Sequence, residues 1–129
     1  GDAVTVHVDP ALGIHADGQR LQQALLNLIR NALEACHETA TTPRIVVSGL
    51  MRDGGTSIEV SDNGPGIASG DLPRVFDPFF TTKPVGKGSG LGLFVVHEIA
   101  AEHGGRVSIS HGPDGGACVT VWIPAEEDK

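Results

Sequence analysis

Hydrophobic and polar positions alternate along this chain with two different periods. In VTVHVD (4–9) valines alternate with polar residues, and RIVVSGLM (44–51) is a second extended candidate. TSIEVSD (56–62) puts Ile58 and Val60 on one face and Ser57, Glu59 and Ser61 on the other. RVSIS (106–110) and ACVTVWI (117–123) repeat the pattern. A period of two predicts strands with one buried and one wetter face, unlike the continuous apolar runs of a parallel sheet. RDGGT and GPDGG carry turn chemistry, so the second and third strands, and the fourth and fifth, are expected to be hairpins.

Between the strands the period lengthens to three and four. Leu21, Leu25, Leu28, Ala32 and Cys36 form one stripe, which predicts a helix from about Asp17, as N-cap, to His37. A second helix is expected from about Leu91 to His103, stopped by Gly104–Gly105. The connection 63–88 is broken by prolines and glycines and has room for one short helical turn, far more chain than packing requires; such loops are usually functional. The expected fold is a two-layer α/β (α+β) sandwich. It has a mixed, mainly antiparallel five-stranded sheet with about three helices on one face.

Composition narrows the picture. At 129 residues the chain is one domain, long enough to bury a core unaided. No apolar run approaches the roughly 18 residues of a membrane span, and no signal-peptide pattern opens the chain, so a cytoplasmic location without membrane contact by this piece is expected. A chain opening on Gly1 is expected to be cut from a longer protein; whether that parent is anchored in the inner membrane stays open. The two cysteines, Cys36 and Cys118, are expected to be buried free thiols. With 9 Lys+Arg against 16 Asp+Glu, the net charge of −7 argues against nucleic-acid binding. A polyanion would have to be held locally, by backbone N–H groups, placed cations or a metal.

Four clusters fit that demand. Asn27, Asn31 and Glu34 project together from the first helix, and amide oxygens one turn apart suit a hard cation, although the same face could be ordinary solvated surface. SDNGPGI (61–67) ends the third strand with Asp62 before a Gly-Pro-Gly turn; Asp, Asn and Gly are common there for local reasons alone. As a site, Asp62 would accept a hydrogen bond from a ligand amino group while Gly64 and Gly66 admit it. VFDPFFTTK holds three of the four phenylalanines, Phe76, Phe79 and Phe80. GKGSGLGL then leads glycines into a helix N-terminus, an anion site with Lys83 and Lys87 nearby, although it is not a Walker P-loop.

In this order, NLIRNALEA (27–35), DNGPGI (62–67), FDPFFTTK (76–83) and GKGSGLGL (86–93) resemble the N, G1, F and G2 boxes of the catalytic, ATP-binding domain of sensor histidine kinases, nearest the nitrogen-regulation type. HADGQRLQQALLNLIRNA is similar to that family's approach to the N box, and GGRVSISHGPDGGACVTVWIP to its closing hairpin. The resemblance covers nearly the whole chain and implies the Bergerat ATP-binding sandwich, with an ATP lid over about 63–90. It implies ATP and Mg²⁺ as ligands. Asn27 and Asn31 would serve on the metal and phosphate side, Glu34 as base or orienting group, and Asp62 would bind the adenine amine. Gly64, Gly66 and Ile67 would shape the purine slot. Gly88, Ser89, Gly90, Leu91 and Gly92 would wrap the phosphates, with Lys83 and Lys87 in contact with them. The lid phenylalanines would dock the phosphoacceptor domain, pack the lid on its own core, or both.

The activity implied is transfer of the γ-phosphoryl group to a histidine on a separate helical domain of the same protein, dimeric when intact, and from there to a response-regulator receiver domain. That histidine is not expected in this chain. HEIA at His97 lacks the Arg or Lys and the Pro of a phosphoacceptor box and reads as helix surface. Hydrolytic and serine-kinase relatives place a glutamate where Asn27 stands, and an amide cannot take the proton of water or serine as a carboxylate does. A non-catalytic nucleotide- or partner-binding module is the third reading. Glu34 and Ala35 replace the Lys-Tyr pair of many relatives, leaving the adenine-stacking partner unassigned, and Phe94 stands where a smaller residue is common.

Overall fold

The computed structural model describes residues 4–8, 18–38, 42–67, 70–77, 92–112 and 115–124. Five strands, β1 (Val4–Val8), β2 (Ile45–Arg52), β3 (Gly55–Ser61), β4 (Arg106–His111) and β5 (Ala117–Pro124), form one sheet in the order β1-β2-β3-β5-β4. The first pair is parallel and the other three are antiparallel. The helix α1 (Gly18–Glu38) separates β1 from β2 in the chain, and a crossover of that length is what a parallel pair needs. The second helix, α2 (Gly92–Glu102), packs beside α1 on the same face, and a single 3-10 turn spans Leu72–Arg74. Two α-helices and this turn make up the helical layer among the described residues.

The core lies between the layers and follows the predicted stripes. Ala24, Leu28, Ala32 and Cys36 of α1 are buried, and Leu25 packs against the same cluster. Ile58 and Val60 of β3 meet them from the sheet, in register with Val121 and Val119 of β5. Val96 and Ile99 of α2, both fully buried, close the other end. Cys36 is buried as expected, but Cys118 is only half-buried: it stands across from Ser61 on the outer face, which no helix covers among the described residues. There Trp122 is covered on one side by the Arg106 guanidinium, 4.3 Å from its ring centre, and donates its indole N–H to the Arg52 carbonyl at 2.8 Å.

Local chemistry sets the element boundaries. Both predicted hairpins form, and the β2–β3 turn has positive φ at Asp53 (52°) and Gly54 (76°), the twist that suits a two-residue connection. α2 ends because Gly104 takes φ 73°, so that Gly105 N–H reaches the Ala100 carbonyl at 2.8 Å and Gly104 N–H reaches Ala101 at 3.0 Å. These bonds satisfy the last carbonyls of the helix. The N-cap expected at Asp17 lies outside the described residues.

Candidate nucleotide site

A cleft of about 390 Å³, its open mouth included, runs between α1 and the end of the sheet. One wall is the α1 face of Leu28, Asn31, Ala32 and Ala35. The other comes from Val60 on β3, Ile109 on β4, and Ala117 and Val119 on β5, with Gly66 and Ile67 at the rim. The walls are apolar, and Asp62 and Asn31 supply the polar side chains. This is the composition of a site for a flat, largely apolar ligand carrying a few hydrogen-bonding groups.

Asp62 is the first residue beyond β3 and is 9% exposed. Its backbone continues the sheet for one step, donating to the Ala117 carbonyl at 3.0 Å. Its carboxylate accepts from Gly64 N–H at 2.9 Å and from Ala117 N–H at 3.3 Å. Both bonds that the described residues give the carboxylate fall on Oδ1, so Oδ2 is the oxygen left for a ligand donor. Backbone N–H groups hold the side chain in one orientation before any ligand arrives.

The glycines of this turn have separate reasons to be glycine. A Cβ on Gly64 would come within 3.1 Å of the Ala35 backbone and side chain, so the chain after Asp62 lies directly on α1. Gly66 takes φ 76°, which side chains rarely adopt, and faces the Gly115 carbonyl across the β4–β5 hairpin. Asn63 points away from Asp62's bonds: its Oδ1 accepts from Arg44 N–H at 2.8 Å and from the Cys36 thiol at 3.2 Å, and its Nδ2 donates to the Thr42 carbonyl at 3.0 Å.

The structure thus brings Asn31, Asp62, Gly66 and Ile67 around one cleft, with Gly64 immediately behind it. Asn27 and Glu34 lie half-buried on the same helix as Asn31, although neither lines the cleft. Gly92 is the first residue of α2. Lys83, Lys87, Gly88, Ser89, Gly90 and Leu91, with Phe79 and Phe80, lie outside the described residues. Phe76 is described, and its ring lies 5.7 Å from that of His97 at 30°, so this phenylalanine packs against the exposed side of the domain's own α2. His97 itself is exposed and 3.7 Å from Glu98, a helix-surface position.

Sequence reasoning did not find Leu28, Ile109, Ala117 or Val119 as cleft walls, nor the bridging role of Asn63. The alternation of β4 and β5 showed that Ile109 and Val119 face inward. Only the strand register shows that they reach the Asp62 end of the sheet.

The family model described as Histidine kinase-, DNA gyrase B-, and HSP90-like ATPase matches residues 16–127, and the chain belongs to that family. Sensor histidine kinase ZraS of Escherichia coli (strain K12) is 41% identical over 111 residues, which cover 86% of this chain and 23% of that protein. Signal transduction histidine-protein kinase AfsQ2 of Streptomyces coelicolor is 40% identical over 126 residues, covering 94% and 23%. The chain therefore spans about a quarter of the length of these curated relatives. Among solved structures, the mycobacterial sensor histidine kinase MprB matches with a TM-score of 0.80 at 28% identity, over 94% of this chain and 80% of that one. Full-length ShkA, solved in complex with AMPPNP, matches with a TM-score of 0.75 at 29% identity, over 96% of this chain and 26% of that one.

Proposed function

We propose that this chain is the catalytic half of a sensor histidine kinase. In this reading it binds Mg-ATP and presents the γ-phosphoryl group to a histidine on a separate helical domain of the same protein. The observation that carries the reading is the Asp62 carboxylate, pinned through Oδ1 at the end of an apolar cleft with Oδ2 left for a donor. The adenine amine is such a donor, and Leu28, Ile67, Ile109 and Val119, which line the cleft, would enclose the faces of the ring. ShkA, a match across nearly all of this chain, was solved with an ATP analogue, which supports the same ligand here.

With adenine held at Asp62, the phosphates would extend along α1 past Asn31. Asn27 and Asn31 offer half-buried amide oxygens on one helix face, a donor set that suits Mg²⁺ when phosphate oxygens and waters complete the shell. The metal would neutralise charge on the phosphates. Lys83, Lys87 and the Gly88–Gly92 backbone would hold the phosphates, and Glu34 would orient the incoming imidazole. In the transfer the bond from the γ-phosphorus to its bridging oxygen breaks, a bond from phosphorus to the imidazole nitrogen forms, and ADP departs. Such a reaction asks the protein for alignment and charge support more than covalent help. The phosphohistidine would then serve an aspartate on a receiver domain, and the intact protein would be a dimer through its helical domain.

Calorimetric titration of the chain with Mg-ATP and, separately, Mg-GTP tests the nucleotide site. Guanine carries a carbonyl where adenine carries the amine, so it meets the Asp62 carboxylate acceptor to acceptor. Binding of ATP with GTP at least about tenfold weaker is expected, the cost of an unpaired buried acceptor. Equal binding of both would remove Asp62 from base recognition.

A further inference from the structure

Residues 62, 63 and 64 are consecutive but face three different ways. Asp62 turns to the cleft, Gly64 lies against Ala35, and Asn63 reaches to the end of α1 and to the segment that follows it. We propose that Asn63 is a positioning residue for nucleotide recognition: a clamp that fixes the base-reading end of β3 against the helix bearing Asn31. The inference rests on the nucleotide reading of the cleft and goes beyond it.

Asn31 and Asp62 stand on opposite walls of the cleft, on elements that share the core through Leu28, Ala32 and Val60 and part company at the Asp62 end, beyond β3. A rigid ligand spanning both walls needs their separation fixed to well under an ångström, because small misplacements are costly in aligned sites. Beyond that shared core, two contacts tie the Asp62 turn to α1 and the residues after it. One is Gly64 on Ala35, a packing contact that resists approach but not separation. The other is Asn63, which resists separation: it takes the Cys36 thiol at 3.2 Å, takes Arg44 N–H at 2.8 Å and gives to the Thr42 carbonyl at 3.0 Å. Cys36 is fully buried and five residues along the helix from Asn31, so the clamp holds a packed position in the last turn of α1. Asn is the side chain that fits, because both an acceptor and a donor are used at once. Leu, Ser or Asp would each abandon at least one partner.

A clamp and a general stabiliser differ in what their removal changes. In the whole chain, Asn63→Ala is compared with the parent for amide exchange at Gly64, for exchange along the β3–β5 ladder, and for Mg-ATP affinity at a temperature where circular dichroism shows both fully folded. The expected result is Gly64 exchange accelerated about tenfold more than the ladder, an ATP Kd raised about tenfold, and a narrowed ATP-over-GTP preference. Cys36→Ala, which removes the thiol contact and leaves Asn63 its bonds to Arg44 and Thr42, moves the same readouts less. Uniform acceleration across the sheet, or unchanged Gly64 exchange, overturns the proposal. If the parent binds no ATP, the nucleotide reading fails, while Gly64 exchange still decides the clamp. Should Asn63→Ala not fold, Asn63→Asp keeps the acceptor, loses the donor to Thr42 and is read in the same way.

Discussion

The Asp62 carboxylate has two tasks that substitution can separate. Its Oδ1 satisfies Gly64 N–H and Ala117 N–H, and in the proposed function its Oδ2 accepts from the adenine amine. Asp62→Asn keeps an oxygen for the two backbone donors and replaces the other oxygen with an amide that can only donate. The fold should lose only the charge assistance of those bonds, about 1 kcal/mol or less. ATP should lose a charge-assisted hydrogen bond worth about 1.5–3 kcal/mol, a Kd raised about 10- to 150-fold. Asp62→Ala removes both tasks. It leaves two buried donors without a partner, at a cost of about 2–4 kcal/mol for the pair, the 3.3 Å bond being the weaker. Urea denaturation measures the stability difference, and calorimetry with Mg-ATP on the folded variants measures the binding difference. The reasoning fails if the Asn variant binds ATP within about twofold of the parent, or if it is as unstable as the Ala variant.

Other substitutions probe the frame around the site. A Cβ at Gly116 would overlap the Asp62 backbone oxygen and carboxylate, so Gly116→Ala should destabilise by about 1–3 kcal/mol and weaken ATP binding together, read by denaturation and titration. Gly104→Ala has space, with Pro124 Cγ at 3.8 Å, but must hold φ near 73°; it should cost about 1 kcal/mol and leave ATP affinity unchanged. The Cys118 thiol is pushed above its ordinary value of 9.0, first by burial and then by the Glu59 carboxylate, against a lowering hydrogen bond with Thr120. The folded chain then holds this proton where the unfolded chain has released it. The contribution to stability is complete below the unfolded value and falls as pH rises from about 9 through the folded value. Alkylation by iodoacetamide should therefore be slow near neutral pH, and Cys118→Ser should flatten the alkaline loss of stability. An unchanged alkaline slope would assign that loss to other groups.

Much of the fold was legible because its signals are local. The α1 stripe through Leu28, Ala32 and Cys36, the Asp53–Gly54 hairpin and the Gly104 stop each depend on a few neighbouring residues, and each formed as expected. The parallel placement of β1 beside β2 was not legible, since alternation shows a strand's faces and not its partner. The site divides in the same way. Asp62 and Asn31 stood out by residue type and spacing, whereas Ile109 and Val119 enter the cleft through register between strands far apart in the chain. Asn63 looked like turn chemistry, and its partners Cys36, Thr42 and Arg44 lie 19 to 27 residues away. Cys118 was expected to be buried because its strand is apolar, but its parity puts it on the open face.

The activity proposed for this chain is transfer of the γ-phosphoryl group of ATP to a histidine held on another domain. Its most direct test is incubation of the chain with Mg²⁺, γ-labelled ATP and the histidine-bearing helical domain of its parent protein. The account predicts label on the helical domain that survives alkali and is lost in acid, as a phosphorus–nitrogen bond is, and that disappears when the acceptor histidine is replaced. Sustained release of free phosphate with the helical domain unlabelled, or acid-stable label on serine, would contradict it.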